Sequence, residues 1–534
     1  MRGWIAAKPR ASDLAVRGLV VLFTAGLTAV VLQESMKQGR LSVPPTFDDI
    51  SYMEDAAQRV RSLYEHGAAD MLRGLVDKPP HSPYATAAAM LAFLIFGVKA
   101  WAPYIVNAVV PLIFYAFVAY LGRGMRLWLL GCIMAAVSTI PMVVLAAHEF
   151  RPDFLSATLT CMGATLLVAE PSIGAPARRS MLTGALFGAA VLAKPTALPA
   201  TAALLGLSWL LAALTHNLVV RGAGRRAAIR TGALLAAGFI AVAGPYLAAD
   251  RGETMRYTWY HTMGPGAFVW PRHSRAESLR FYLDGQGGAF MLGPYLYGLL
   301  GVVVLGGACC ALRGTKADRL RAGSVQAVLL AAYAICTLAP KHVFFGLPFQ
   351  EMLLVSALLT VRRAVLGGEA PPLAPGAAAA ALVALTVMSI GMFRFPYVWS
   401  PAGSDRSARS REMYDLLYDR ISALLPSPTG TVLLTFTGEV NAPNLQFRAL
   451  QDQRDTRYIA WELARTPEEY ETWLGQVDLV VAVQSGTRWG IEGFPSGKIL
   501  DQTIAYLDKH PRFARAAQMP VPGTERWFYF YLKR

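Results

Sequence analysis

The sequence predicts an α-helical polytopic membrane protein of about eleven transmembrane helices, followed by a small C-terminal α/β domain on the outer face. Three observations predict it. Apolar runs recur along roughly the first 390 of 534 residues, in a chain that is 54% hydrophobic and 16% charged with a mean hydropathy of +0.38. The basic residues behind the net charge of +15 sit in short clusters between those runs, as they do where cytoplasmic loops carry excess Lys and Arg. Beyond Arg394 the long runs give way to shorter ones of strand length. The positive charge therefore reports topology, and no nucleic-acid partner is expected.

The elements follow in order. Lys8, Arg10 and Arg17 precede an apolar run, Leu19 to Leu32, with no small-residue cleavage site after it; this reads as an uncleaved span with a cytoplasmic N-terminus. Residues Gln33 to Pro83 form a polar outer loop. Within it Asp55 to Gly67 has helical spacing (Ala56, Val60, Leu63, Tyr64), and Lys78-Pro79-Pro80-His81-Ser82-Pro83 breaks that pattern. Tyr84 to Val98 is apolar for only about 15 residues, short of the roughly 20 needed to cross, and is taken as an interfacial helix.

That choice places the later spans near Trp101–Leu121, Leu127–Ala147, Phe154–Ala169, Met181–Ala193, Thr196–Leu214, Thr231–Ala248, Met291–Leu312, Val325–Leu338, Val343–Val361 and Ala377–Met392. Arg123/Arg126, Arg178/Arg179, the Arg221–Arg230 cluster, the Arg313–Arg321 cluster and Arg362/Arg363 then all fall on the cytoplasmic side. The outer side receives His148-Glu149-Phe150-Arg151-Pro152-Asp153, Lys194-Pro195-Thr196, the loop Asp250 to Phe290, and Pro340-Lys341-His342. Two domains result, residues 1–394 in the membrane and 401–534 outside it. In the second, Thr431 to Phe436 and Asp478 to Val483 read as buried strands and Trp527 to Leu532 as a final one. Asp501 to Lys509 reads as a helix, and Thr466-Pro467-Glu468-Glu469 as a capping box. It contains no GxGxxG, P-loop or nucleophile elbow. All five cysteines (Cys132, Cys161, Cys309, Cys310, Cys336) lie in apolar runs without metal-ligand spacing, so neither disulfides nor a zinc site is expected.

Against this background the acidic pair Asp48-Asp49 stands out. Adjacent carboxylates beside a bilayer keep their charge only while wet or paired with a cation, which points to a site; equally, they can start the following helix by suiting its dipole.

The order of motifs resembles the GT-C superfamily of polyprenyl-phosphate-sugar-dependent glycosyltransferases, in its protein-mannosyltransferase and lipid A aminoarabinose-transferase branch. The motifs are Phe47-Asp48-Asp49-Ile50-Ser51-Tyr52 after the first span, His81-Ser82-Pro83-Tyr84 leading into a helix that ends Leu94-Ile95-Phe96-Gly97, Arg151-Pro152-Asp153, and Leu192-Ala193-Lys194-Pro195. The chain departs from the branch at Asp49, where Glu is usual, at Lys194-Pro195 in place of Lys-Gly-Pro, and in the late run Lys341-His342-Val343-Phe344-Phe345-Gly346-Leu347-Pro348.

The resemblance implies an inverting transfer of sugar from a polyprenyl-phosphate-linked donor to a hydroxyl on a lipid, envelope glycan or protein, at the outer face of a bacterial inner membrane. It implies Asp48 as general base, with Asp49 and Asp153 orienting the reactants or holding a divalent metal (Mg or Mn) if one is used. Countercharge for the leaving lipid phosphate would come from Lys78, His81, Arg151, Lys194, Lys341 and His342. Acceptor or sugar contacts would come from Tyr52, Glu149, Tyr257, Trp259, Tyr260 and His261. Plainer readings stand beside these: Asp153 as the N-cap of the next span, Arg151 and Lys194 as snorkelling cations, Lys78, His81, Lys341 and His342 as headgroup contacts, and the aromatic run as an interfacial belt. A transporter or flippase, and a non-catalytic scaffold of the same fold, are the rival classes.

Overall fold

The computed structural model describes residues 11–37, 39, 41, 48–219, 224–270, 273–284, 288–366, 401–425, 427–437, 440–486 and 494–534. Thr46, Phe47 and the expected span Ala377–Met392 lie outside the described residues. Packing divides the chain into two units: Met1–Val31, Leu75–Tyr84 and Asn107–Arg394 form the first, and Leu32–Gly74, Ala85–Val106 and Phe395–Arg534 the second.

Among the described residues, seven helices are long and apolar enough to cross a membrane: Asp13–Lys37, Ala102–Leu121, Pro195–Val219, Gly224–Asp250, Tyr295–Arg313, Lys316–Leu338 and Val343–Leu366. The chain is a multi-pass membrane protein. The stretch expected as one span at Leu127–Ala147 is instead two helices, Leu127–Ser138 and Pro141–His148, bent by 71°. The cause is local, since Pro141 has no N–H to continue the ladder and holds Ile140 in extended backbone. Phe154–Ala169 becomes Asp153–Val168, whose 16 residues reach only about 24 Å. Pro83–Phe96 is a 14-residue apolar helix.

In the first unit, helices Ala177–Ala193 and Gly224–Asp250 are in backbone contact. A Cβ on Gly184 would lie 2.0 Å from the Leu235 carbonyl oxygen, and one on Gly238 2.0 Å from that of Met181. Such an approach is open only to glycine, and it is how membrane helices gain packing where lipid removes the hydrophobic drive. Just past the C-terminal end of helix Asp153–Val168, Glu170 accepts a 2.5 Å hydrogen bond from the Tyr120 hydroxyl and pairs with Arg123 and, at 2.7 Å, with Arg179. Burial opposes its ionisation, yet these donors together hold its carboxyl below the usual range. Among the five cysteines, Cys161, Cys310 and Cys336 are buried, Cys132 is half-buried and Cys309 exposed, all as free thiols.

The second unit is built on a five-stranded sheet of order β2-β1-β3-β5-β4, with β1 Thr431–Leu434, β2 Arg457–Ala460, β3 Leu479–Val483, β4 Phe513–Pro520 and β5 Trp527–Lys533. β1 runs parallel to β2 and β3, and β5 antiparallel to β3 and β4. Both faces are covered. Val432, Leu434, Val481, Phe528 and Phe530 pack with Met413, Leu417 and Ile421 of helix Pro401–Leu424, while Leu433, Val480 and Tyr531 pack with Tyr470, Leu474 and Leu507. This explains why β1 and β3 read as continuous apolar runs. Helix Asp501–Lys509 is observed as Leu500–Lys509. The expected capping box at Thr466 is not formed: Pro467–Tyr470 is a 3₁₀ turn, the Thr466 side chain does not cap it, and Glu469 accepts from the Arg465 N–H instead. A true capping box occurs at Asn441 and Asn444, opening helix Ala442–Gln451.

Two segments from the N-terminal part of the chain complete this unit. Helix Asp48–His66 packs on Ala442–Gln451 and its Arg61 pairs with Asp455 at 2.5 Å, while the Phe93 and Phe447 rings meet at 5.9 Å. Within helix Asp48–His66, burial and the neighbouring Asp55 push the Glu54 carboxyl up to about 7. A carboxyl raised in the folded state binds protons that the unfolded chain has released. Its protonated form therefore favours folding most fully below the unfolded value of 4.5, and this advantage is lost as pH rises to about 7. Thermal unfolding across pH 4.5 to 8 should show stability declining over that window. Glu54→Gln should lack this component and be the more stable protein at pH 8, by on the order of 2 kcal/mol; parallel pH profiles for the two would remove Glu54 as its source.

Candidate active site

The first unit gathers five of the expected residues at the ends of its helices. Helix Pro141–His148 stops short of Pro152, and the turn to Asp153–Val168 is pinned by Asn107, whose Nδ2 donates to the carbonyls of Ala146 (2.9 Å) and Glu149 (3.2 Å). In this turn Glu149 and Arg151 pair at 2.9 Å. The Arg151 guanidinium lies 4.5 Å from the centre of the Phe344 ring. Helix Ala177–Ala193 ends at Lys194, in extended backbone before Pro195. Its ammonium forms an ion pair with Asp153 and stands 4.9 Å from the Phe345 ring centre. Asp153 is buried, a condition that opposes charge, but Lys194, Arg151 and His342 all favour the carboxylate.

The ring platform is itself held in place. His342 stacks on Phe344 with centroids 5.3 Å apart and also meets Phe345 (5.4 Å) and Trp270 (5.9 Å). Behind it, the Tyr282 hydroxyl donates to the His342 carbonyl at 3.1 Å. Tyr282 fits because Gly288 and Gly346 have no side chains, since a Cβ on either would fall 2.2–2.3 Å from its ring. The result is two cations, each facing an aromatic ring and each matched to a carboxylate. Arg151, with Glu149, Asp153 and Phe344, also lines a narrow cleft of about 10 Å³ shared with Phe154, Met291 and Leu347.

A second group adjoins the first. Ser82 Oγ donates to the Ala193 carbonyl at 2.6 Å, joining the His81-Ser82-Pro83 segment to the Lys194 turn. The His81 ring meets Tyr257 edge-on at 5.2 Å, and His261 packs on Tyr257 (4.4 Å) and Tyr260 (5.0 Å). Trp270 Nε1 donates to the His261 carbonyl at 2.8 Å, so this aromatic row runs on to His342.

Other expected residues are placed differently. Lys341 Nζ donates to the carbonyls of Thr337 (2.5 Å), Ala339 (2.6 Å) and Cys336 (3.3 Å). These three donations use its full donor capacity on the C-terminal end of helix Lys316–Leu338. Lys78 and Trp259 are exposed. Asp48, Asp49 and Tyr52 belong to the second unit, where helix Asp48–His66 begins seven residues earlier than its apolar spacing indicates. Successive helical residues point about 100° apart. Asp48 is therefore exposed, whereas Asp49 is buried and accepts a 2.9 Å hydrogen bond from the Tyr104 hydroxyl. Tyr52 is buried in the same helix. Among the described residues no group of three or more His, Cys, Asp or Glu is placed to hold a metal ion.

Sequence reasoning missed Trp270, Tyr104 and the rings of Phe344 and Phe345 as partners of the site. Only the last two carried a signal, as aromatics beside a basic pair on an outer loop.

No protein-family model matches the chain, and none of the curated proteins matches it. Solved structures do. ArnT from Cupriavidus metallidurans bound to undecaprenyl phosphate superposes with a TM-score of 0.59 at 15% identity, covering 96% of this chain and 98% of that one. The chain has a GT-C fold. The apo state of the same ArnT gives a TM-score of 0.56 with the same coverage and identity. The Archaeoglobus fulgidus oligosaccharyltransferase, also of the GT-C superfamily, covers 86% of this chain and 69% of its own at 11% identity, with a TM-score of 0.47. In this chain the start of helix Asp153–Val168 and the end of helix Ala177–Ala193 come together, and the Lys194–Asp153 pair is the contact made there.

That pair predicts a specific stability pattern. Asp153→Asn leaves a largely buried ammonium without its counter-charge and should cost up to about 3 kcal/mol, with Lys194→Met similar. The double variant should recover much of the loss, because two neutral side chains need no pairing. Thermal unfolding of the four proteins in one detergent measures this coupling, and strictly additive losses would contradict it.

Proposed function

We propose that this protein is an inverting glycosyltransferase that moves a sugar from a polyprenyl-monophosphate-linked donor to an acceptor hydroxyl at the extracytoplasmic face of a bacterial inner membrane. The observation that carries this reading is the Arg151–Lys194–His342 cluster on its aromatic platform, in a fold shared over nearly the whole chain with a protein whose structure holds undecaprenyl phosphate. A phosphate monoanion or dianion is met best by cations already desolvated and oriented. Arg151 and Lys194 meet that condition, because their carboxylate partners and ring neighbours fix them before any lipid arrives.

The reaction follows from these groups. The acceptor oxygen forms a bond to the anomeric carbon while the bond from that carbon to the phosphate oxygen breaks. The electron pair leaves with the lipid phosphate, whose negative charge Arg151 and Lys194 stabilise, and the acceptor proton passes to the Asp48 carboxylate. One displacement inverts the anomeric centre. Asp48 is the carboxylate of the acidic pair suited to this, since Asp49 is buried and engaged by Tyr104. Asp153 acts through Lys194, holding its ammonium in position, and Glu149 does the same for Arg151. His81, Tyr257, Tyr260 and His261 border the donor's sugar.

Purified protein should cleave or transfer from a polyprenyl-phosphate sugar and be indifferent to nucleotide sugars. Asp48→Asn should slow the single-turnover step by about 10² to 10⁴ with donor affinity little changed. Lys194→Met should weaken donor affinity as well as rate, because the phosphate is charged in both ground and transition states. A near-normal rate in Asp48→Asn would return that residue to the role of helix start, and turnover of nucleotide sugars alone would refute the donor class.

Orientation has its own test. In a Cys309→Ser background, a cysteine at exposed Glu412 should react with an impermeant maleimide in intact spheroplasts, whereas one at exposed Arg225 should react only after permeabilisation. The reverse pattern would invert the topology.

A further inference from the structure

The two helices joined by the Lys194–Asp153 pair carry a second group of charges at their other ends, and no step above uses it. Glu170 follows the end of helix Asp153–Val168, and Arg179 lies in the first turn of helix Ala177–Ala193. Glu170 pairs with Arg179 and with Arg123, whose guanidinium also stands 4.4 Å from the Tyr120 ring centre. A further cation arrives on helix Leu347–Leu366. Arg362 Nε donates to the Arg123 carbonyl at 3.1 Å, which brings two guanidinium groups close enough to repel each other. Among the described residues Glu170 is the only carboxylate within electrostatic reach of Arg362, and Arg123 and Arg179 already share it. The sequence supplies no substitute there, since Glu170 is the only acidic residue between Asp153 and Asp250. Arg363, the next residue along, is matched by Asp318 and leaves this balance unchanged. Arg123, Arg179 and Arg362 therefore face a single carboxylate, and positive charge is left over.

We propose that this cluster binds the phosphodiester of an anionic membrane phospholipid. Its setting is the boundary of the bilayer, because Arg123 lies just beyond the end of the span Ala102–Leu121 and Arg362 near the end of the span Val343–Leu366. The two are held on one surface. Gly124 takes a φ of +87° that favours glycine, and a Cβ there would lie 3.3 Å from the Leu366 side chain, so the turn after Arg123 is seated on the end of the helix that carries Arg362. Leu366, Leu127 and Trp128 are exposed along the same segments and extend the site as apolar surface, with an indole of the kind that sits at headgroup level. An anionic phospholipid matches each part. Its phosphodiester accepts paired N–H donors from guanidinium groups, and its acyl chains lie along the leucines. Arg362 is half-buried, so its uncompensated charge gains more from a counter-charge than one in open water would. A zwitterionic lipid would bring its own cation to the surplus arginine, and a free phosphate has nothing to place on the apolar surface. The site is independent of the transferase reading.

The test uses the full chain in detergent, with bound lipid counted by native mass spectrometry during titration with dioleoylphosphatidylglycerol or dioleoylphosphatidylcholine, each with and without inorganic phosphate. Phosphatidylglycerol should be held the more tightly, and inorganic phosphate at equal concentration should not displace it. Arg123→Gln and Arg362→Gln should each weaken it about fivefold, the contribution of one basic residue at an anionic lipid surface. Arg362→Lys, which keeps the charge without the planar fork, should lose less than Arg362→Gln. Should Arg123→Gln unfold at a lower temperature through loss of its pair with Glu170, Arg362→Gln carries the comparison, because that side chain is bonded only to a backbone carbonyl. The double variant Arg225→Gln/Arg226→Gln, which removes two exposed cations elsewhere, should bind as the wild type does. Equal retention of both lipids, or displacement by inorganic phosphate on equal terms, would overturn the proposal. An equal loss in the Arg225/Arg226 variant would reduce it to diffuse attraction and overturn it as a site. Loss in Lys194→Met but not in Arg362→Gln would move the lipid to the other end of the helices, with the same result.

Discussion

The ion pair between Lys194 and Asp153 is the constraint on which one end of the first unit depends. Each residue terminates a helix in apolar surroundings, and neither charge is tolerable there alone. Pairing them joins the start of Asp153–Val168 to the end of Ala177–Ala193, and Ser82 then ties a third segment to the same turn through the Ala193 carbonyl. The rings of Phe344 and Phe345 cover the cations, so the late loop is held to the site by the charges it shields. A cluster assembled this way is fixed by its own pairs and rings.

That rigidity is supplied from beneath by small residues. Gly184 and Gly238 let two helices meet backbone to backbone, and Gly288 and Gly346 make room for Tyr282, whose hydroxyl sets the His342 carbonyl. At the other end of the bundle, Glu170 gathers Tyr120, Arg123 and Arg179 into one polar knot. The unit is thus tied at both ends by charge and packed between them by shape, a division suited to lipid, where burial of apolar surface gives little discrimination between arrangements.

The neighbouring carboxylates Asp48 and Asp49 show how a helix separates chemically identical groups. A turn of about 100° sends one to solvent and the other against Tyr104. The first lies at the surface of its helix, whereas the second is committed to an internal hydrogen bond. Helix Asp48–His66 is carried by the sheet unit, packed on Ala442–Gln451, so the C-terminal part of the chain helps to fix where Asp48 lies in that unit.

Hydropathy and charge by themselves determined the membrane class, most span positions, the strands β1, β3 and β5, and the loops that carry Arg151, Asp153, Lys194 and His342. Each of these depends on local composition, and composition is what a sequence displays. Tertiary structure decided the rest. The break at Pro141 was written in the sequence but hidden within a run of uniform hydropathy. Lys341 looked like its neighbour His342 until three backbone carbonyls at a helix end claimed its ammonium. Strand β2, whose alternation is short and half-exposed, exists because β1 offers it a parallel partner. The joining of the early segments Asp48–His66 and Pro83–Phe96 to the C-terminal sheet, which creates the setting of Asp48, rests on contacts between residues more than 350 positions apart, such as Gln451 with Val98. No local pattern encodes a contact of that range, because each partner's preference for it arises only once the other's surface has formed.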